Sequence, residues 1–183
     1  YQLEDHIDTS VDADIFDVDL FTTQHAVIAD LHDRGRHVLC YMSAGSWEPY
    51  RPDADRFSAA VKGGFVDGWP DERWLDLRSG NVRAIMADRL DLAAEKGCDG
   101  VEPDNMDAYQ NGPGFALDGP TQLDYNRFIA REAHARGLAV GLKNDVDQLA
   151  ALAADFDFAV NEQCHQYTEC DGYSVFTAQG KPV

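Results

Sequence analysis

A polar helix that stops at a glycine and runs at once into a short apolar strand occurs three times in this chain, and that repeat restricts the folds open to it. HAVIADLHDRG leads into RHVLCYMS, NVRAIMADRLDLAAEKG into CDGVEPDN, and LDYNRFIAREAHARG into LAVGLKND. Gly35, Gly97 and Gly137 stand where a helix ends in the left-handed conformation, which glycine adopts without a steric penalty. Strands reached through helices run parallel, and strands this apolar are covered on both faces. Further strands read as ADIFDVDLF, RWLDLRS and FDFAVNEQC, with the short helix DQLAALAADF ahead of the last. Counting YQLE at the start and KPV at the end as clipped strands brings the total to eight, so the expected fold is α/β, a compact (β/α)8 TIM-like barrel. At 183 residues the chain is short for that barrel. Either its helices are minimal, with none between the first two strands, or it is truncated in the last strand. The hydrophobic fraction of 44% is enough for one core, so residues 1–183 are expected to form a single domain.

No run of about 18 apolar residues is present to span a bilayer, and no basic-then-apolar leader opens the sequence. The 33 Asp and Glu against 15 Lys and Arg give a net charge of -18, which repels polyanions and enriches cations near the surface. Nucleic acid is thereby disfavoured as a partner, while a cationic substrate and a merely solvated acidic surface fit the charge equally well. The cysteines at 40, 98, 164 and 170 lack the paired spacing of structural zinc sites, and no glycine-rich phosphate loop follows the first strand. Neither a metal nor a cofactor is expected. Cys164 and Cys170 bracket the short loop CHQYTEC and are expected to form a disulfide, which favours an exported protein. Cys40 and Cys98 lie in apolar, strand-like segments and read as core residues.

Nearly every strand turns polar at its C-terminal end, where barrels and doubly wound sheets alike keep their chemistry. In CDGVEPDNMDAY, Glu102 and Asp104 are two residues apart on one strand and so share a face, and burying them dry is costly. Glu162 ends the strand two further along. Alternate strands of a barrel contribute to one interior layer, so Asp104 and Glu162 are expected to face one another across the mouth. Two opposed carboxylates are the minimum equipment for hydrolysing a glycosidic bond. Lys143, on the strand between them, is expected to lower the Asp104 pKa and keep it ionised as nucleophile or base. Glu162 is expected to be the acid, with Val160 and Cys164 excluding water and raising its pKa. Side-chain reach across a mouth covers both retaining and inverting separations.

The same strand ends supply the candidate sugar-binding residues. Asp17 and Asp19 come from FDVDLF, Tyr41, Ser43 and Trp47 from YMSAGSW, and Asp76 and Arg78 from DLRS. Glu102, Asn105 and Tyr109 belong to the EPDN strand, Lys143, Asn144 and Asp145 to LKND, and Asn161 precedes Glu162. Taken singly, Asp99, Glu102, Asp107, Asp76 and Arg78 also read as ion pairs and strand-end caps. Tyr50, Trp69 and Trp74 join Tyr41, Trp47 and Tyr109 as aromatic faces suited either to stacking on sugar rings or to filling the core.

In this order and spacing, CYMSAGSWEPYRPDA, GWPDERWLDLRS, KGCDGVEPDNMDAY, GLKND and FAVNEQC resemble glycoside hydrolase family 114 over almost the whole chain. The resemblance implies a secreted endo-α-1,4-polygalactosaminidase on a TIM-like barrel, cleaving internal α-1,4 bonds of a galactosamine-rich polysaccharide. Carried over by motif, the catalytic pair is Asp104 of EPDN and Glu162 of NEQC. The resemblance departs at the ends, since the family would continue the last strand beyond GKPV. Unacetylated galactosamine units are cationic and match the acidic chain, and a monomer is expected. Two other readings stand beside it. DGVEPDNM is superficially similar to the chitinase-like strand motif DGxDxDxE, but Met106 occupies the place of the acid. A non-catalytic carbohydrate-binding extracellular barrel is the other, and the retention of both Asp104 and Glu162 argues against it.

Overall fold

The computed structural model describes residues 1–4 and 6–183. Its strands are β1 (Ile15–Asp19), β2 (His37–Ser43), β3 (Ser46–Trp47), β4 (Lys62–Val66), β5 (Trp69–Leu75), β6 (Gly100–Asp104), β7 (Ala139–Lys143) and β8 (Phe158–Val160). The long helices are α1 (His25–Asp33), α2 (Gly80–Lys96) and α3 (Gly119–Ala135); α4 (Leu149–Leu152), α5 (Cys164–Tyr167) and α6 (Ser174–Thr177) are single turns. Five strands form the main parallel sheet, in the order β1-β2-β6-β7-β8. Helices alternate with strands along it, as in the TIM-like barrel expected. The chain ends contribute less than full strands. Gln2 makes one parallel bridge to Val18 on the β1 edge, and the Ala159 N–H of β8 donates to the Pro182 carbonyl at 3.1 Å.

The segment RWLDLRS does not serve as the third barrel strand. Its first three residues end β5, which pairs antiparallel with β3 and β4 in a separate three-stranded sheet, so β2 pairs directly with β6. The reason is a local turn: Asp67 and Gly68 sit between paired Val66 and Trp69, with Gly68 at φ 79. Asp-Gly between two strands is a strong hairpin signal, and a hairpin forces antiparallel pairing.

The helices form as the sequence repeat requires. Ser79 caps α2 by accepting from the Asn81 N–H, Asp118 caps α3 by accepting from the Thr121 N–H, and each cap occupies one of the orphan donors of a helix start. Gly35, Gly97 and Gly137 have φ of 72, 81 and 75, the left-handed stops expected after α1, α2 and α3. On α2 the residues Val82, Ile85, Met86, Leu90 and Ala93 are buried, the spacing of one helical face against the sheet. Arg89 lies on that face too and is almost fully buried. Its guanidinium binds both Asp53 oxygens at 2.8 Å and the Ser43 carbonyl at 2.7 Å, tying α2 to the C-terminal end of β2. Gly141 of β7 has Phe158 against it so closely that a Cβ would lie 2.2 Å from the ring, so this strand can approach β8 only without a side chain there.

Two disulfides staple the fold. Cys164–Cys170 closes the short loop after β8, as expected. Cys40 and Cys98, read as core residues with their pairing left open, are also bonded. Cys40 is opposite Val101 in the β2–β6 register, and Cys98 lies two residues before the start of β6, so direct pairing of these strands brings the sulfurs together. Mass spectrometry without reductant should find both bonds. In the chain-entropy model the 58-residue separation contributes about 4 kcal/mol and the 6-residue one about 2 kcal/mol. Replacing Cys40 and Cys98 together by Ala should therefore lower Tm more than replacing Cys164 and Cys170; an equal or smaller drop contradicts the assignment.

Candidate active site

Parallel pairing sets Tyr41 opposite Glu102 and Ser43 opposite Asp104, so these four side chains share the inner face of the sheet. The strand tip beyond Asp104 turns sharply. Asn105 is at φ 60, a conformation that asparagine tolerates better than most residues. The β2 tip packs directly on it: the Ala44 and Gly45 N–H groups donate to the Asp104 carbonyl at 2.9 and 3.2 Å. A Cβ on Gly45 would lie 1.9 Å from the Asn105 carbonyl oxygen, so only glycine lets these two strand ends meet.

Lys143 joins three carboxylates. Its Nζ is 2.6 Å from Glu102 Oε1, 3.6 Å from Asp104 Oδ1 and 3.4 Å from Glu162 Oε1. Burial works against the Lys143 charge, but Asp104 and Glu102 outweigh it and hold the pKa above the ordinary lysine value. Asp104 also accepts from the Tyr41 hydroxyl at 3.0 Å and from the Asn105 N–H at 2.8 Å. Its pKa was expected to fall under the charge of Lys143, and the structure reverses this. Burial exceeds the opposing effects of Lys143 and the hydrogen bonds, and the carboxyl is raised. Glu162 is also placed differently from the expectation. Its side chain is 58% exposed, with Asn144 Nδ2 at 3.3 Å, and no shell of Val160 and Cys164 shields it from water.

Asp104 and Glu162 open into one cleft. Tyr41, Asn105 and Asn144 line it with them, as does Asp19, although Asp19 is buried and its oxygens are committed to Arg51 at 2.6 Å and to the Phe21 and Thr22 N–H groups. The antiparallel sheet adds Asp67, Trp69, Glu72 and Trp74, with the Trp69 side chain largely exposed. Sequence reasoning did not single out Glu48, Arg51 or Glu72. Tyr50 lies 2.9 Å from Glu48 Oε1 and 3.2 Å from Glu72 Oε1, and Arg51 reaches Glu48 at 2.8 Å. The motif WEPYR carried Glu48 and Arg51 in plain view, whereas Glu72 depended on recognising the hairpin.

Other candidates lie elsewhere. Asp76 and Arg78 pair with each other at 2.8 Å away from the cleft. Trp47 donates its indole N–H to the Ala54 carbonyl and carries Lys62 3.9 Å above its ring. Ser43 is buried against Ser46 and Asn105, and Asn161 holds the Tyr173 hydroxyl and the Cys164 N–H. Tyr109 accepts from Gln110 outside the cleft lining. Asp17 and Glu102 are buried beneath it.

Asp107 and Asp145 form a second acidic pair beside the first. Asp107 lines the cleft, and burial and the charge of Asp104 push its pKa up to about 6. Asp145 is buried at φ 46, accepting from Asn126 at 2.8 Å; burial and the charge of Asp107 push it up to about 7. Among the described residues, no group of three or more His, Cys, Asp or Glu is arranged to hold a metal ion.

The arrangement offers two carboxylates on a shared cation at the mouth of a parallel α/β sheet, equipment for acid-base cleavage of a glycosidic bond. The family model of glycoside-hydrolase family GH114 matches residues 1–183. The chain belongs to that family. This family-114 glycoside hydrolase is similar to Ega3 of Aspergillus fumigatus, whose crystal structure holds galactosamine. The two share 50% identity with a TM-score of 0.95, over 100% of this chain and 72% of that one. The glycoside hydrolase domain of PelA from Pseudomonas aeruginosa is 16% identical, with a TM-score of 0.72 over 93% of this chain and 75% of that one. The trehalulose synthase MutB of Pseudomonas mesoacidophila MX-45 is 13% identical, with a TM-score of 0.53 over 78% of this chain and 36% of that one. The last two share the fold. No curated protein matches the family-114 chain.

A raised carboxyl pKa makes stability depend on pH. The unfolded Asp145 ionises near about pH 4 and the folded one near about 7, so its favourable contribution is complete below the lower value and is lost as pH rises through the upper one. Asp145→Asn removes this term while leaving an amide that tolerates the left-handed backbone. The Tm difference between variant and wild type should shift in favour of the variant from about pH 5 to about pH 8. A difference that is constant across that range contradicts the buried, raised carboxyl.

Proposed function

We propose that this family-114 hydrolase cleaves internal α-1,4 bonds in a galactosamine-containing polysaccharide, with Asp104 and Glu162 as the catalytic pair. The observation that carries this reading is the shared ammonium of Lys143, which holds the only two carboxylates of its cluster that reach the cleft. Asp104 acts as the nucleophile. Two of its three donors, the Asn105 N–H and Lys143, can only donate, and that favours the charged carboxylate during attack despite its burial. Glu162, exposed and on the longer side chain, protonates the leaving oxygen and then activates the water that releases the glycosyl enzyme.

The likeness to Ega3 with its bound galactosamine supports the sugar, and the charge of -18 supports a cationic polymer. Exposed Trp69 and Tyr50 beside the acids suit stacking on successive rings. The two disulfides support secretion, and no helix among the described residues is long and apolar enough to cross a membrane. The enzyme works as a monomer and without a cofactor.

Asp104→Asn and Glu162→Gln keep size and remove the chemistry, so each should lose about 10²-fold or more in turnover of polygalactosamine while remaining folded. Asp76→Asn, in the surface pair with Arg78, is the control and should retain turnover. Glu102→Gln, although beside Asp104 in sequence, does not serve as a control, because it disturbs Lys143 directly. Near-normal turnover of either catalytic variant overturns the assignment.

The geometry also favours retention of configuration. The two oxygens can lie no further apart than the sum of their distances to Lys143, which are 3.6 and 3.4 Å. That limit admits the separation of about 5–5.5 Å of retaining enzymes and excludes all but the shortest part of the inverting range of about 6.5–9.5 Å. The first new reducing end seen by NMR should be the α anomer; β first contradicts the nucleophilic role of Asp104.

A further inference from the structure

Beneath the catalytic pair lies a contact that two ionised groups cannot make. Asp17 of β1 is 7% exposed and Glu102 is fully buried. Glu102 Oε1 is taken by Lys143 at 2.6 Å, while its other oxygen, Oε2, has no N–H or O–H donor among the described residues; neither has Asp17 Oδ1. Asp17 is level with Leu39 of β2, which is level with Gly100 of β6, so Asp17 shares the inner face of the sheet with Glu102 and its carboxyl group lies within reach of the Glu102 carboxyl. Carboxylates only accept, so a hydrogen bond between them requires one proton, and out of water the alternative is two adjacent unpaired charges.

We infer that Asp17 is a neutral carboxylic acid donating its proton to Glu102 Oε2, and that this bond positions Lys143 against Asp104 and Glu162. The proton belongs on Asp17 because Glu102 is the closest counter-ion of Lys143. Asp17 is then a positioning residue for the hydrolysis, acting through Glu102 and Lys143 without touching substrate. The inference rests on the proposed roles of Asp104 and Glu162 for its catalytic consequence, though not for the protonation itself.

The surroundings agree. Glu102 and Asp104 of β6, Lys143 of β7, Tyr41 of β2 and Tyr1 at the chain start are the titratable side chains gathered around this interior. Burial raises Asp17 most, the bond to Glu102 and the Glu102 charge add to it, and Lys143 opposes, leaving the carboxyl at about 10. A neutral Asp17 also limits the negative charge around Lys143 to the carboxylates it contacts. The amino group at Tyr1 joins Lys143 in favouring an ionised Asp17, and burial outweighs both.

Infrared difference spectroscopy of wild type minus Asp17→Asn tests the proton directly. At about pH 8 the nearby Asp107 and Asp145, at about 6 and about 7, are mostly ionised, so a protonated-carboxyl carbonyl band in the difference is that of Asp17. Its presence is expected, and its absence overturns the inference whatever the activity. Kinetics test the consequence. Asn keeps an N–H donor toward Glu102, so Asp17→Asn should hold kcat within about 3-fold with an unaltered pH profile, whereas Asp17→Ala should lose about 10-fold or more in kcat with KM little changed. Equal losses in both variants, or a pH profile shifted in Asp17→Asn, overturn the positioning role. If the band is present while Asp104→Asn and Glu162→Gln remain active, the protonation stands and the catalytic reading has failed separately.

Discussion

One buried ammonium holds the ends of three strands together. Lys143 is 1% exposed, and a cation at that depth is expensive unless carboxylates surround it. Glu102 and Asp104 of β6 and Glu162 beyond β8 meet that need from strands on either side of β7. The dependence is mutual, because without Lys143 the fully buried Glu102 carboxylate would lack a counter-ion beneath that of Asp104. The left-handed tips at Asn105, Asn144 and Asp145 fit this arrangement. Each such residue costs on the order of 1–3 kcal/mol and persists only where its surroundings hold it, so the strain is concentrated at the tips that carry the reactive groups.

The small antiparallel sheet changes what the parallel sheet can do. Inserted between β2 and β6, it leaves those strands as direct neighbours and spends its own polar face on the cleft, where Glu72 and Tyr50 join Glu48 and Arg51. A further parallel strand would have offered one polar tip to the mouth. The hairpin instead presents a row of side chains along its length, exposed Trp69 among them, to the same cleft as the catalytic acids.

The parts of this site governed by strand periodicity were legible in the sequence. Glu102 and Asp104 share a face because they are two apart, and the left-handed glycines mark where each long helix ends. The misplaced strand and the unread bond between Cys40 and Cys98 have one source. Reading RWLDLRS as a parallel strand placed it between β2 and β6, and that placement separated Cys40 from Cys98, so their bond was invisible for the same reason the hairpin was. The turn Asp67-Gly68 carried the contrary signal, obscured by glycines and charges on both sides. The direction of the Asp104 pKa failed for another reason. Spacing identifies which charges are near one another, but not how deeply the fold buries them, and here depth outweighs the neighbouring cation.

The Cys40–Cys98 bond has a topological consequence. Residues 41–97 form a covalently closed ring that contains the whole antiparallel sheet and α2, so everything between β2 and β6 hangs from two points fixed to one another. A protease cutting at the exposed hairpin turn would leave no free fragment, because both halves stay tethered beside Asp104. That ring lets the hairpin turn at the cleft be severed without releasing the strands that carry the chemistry.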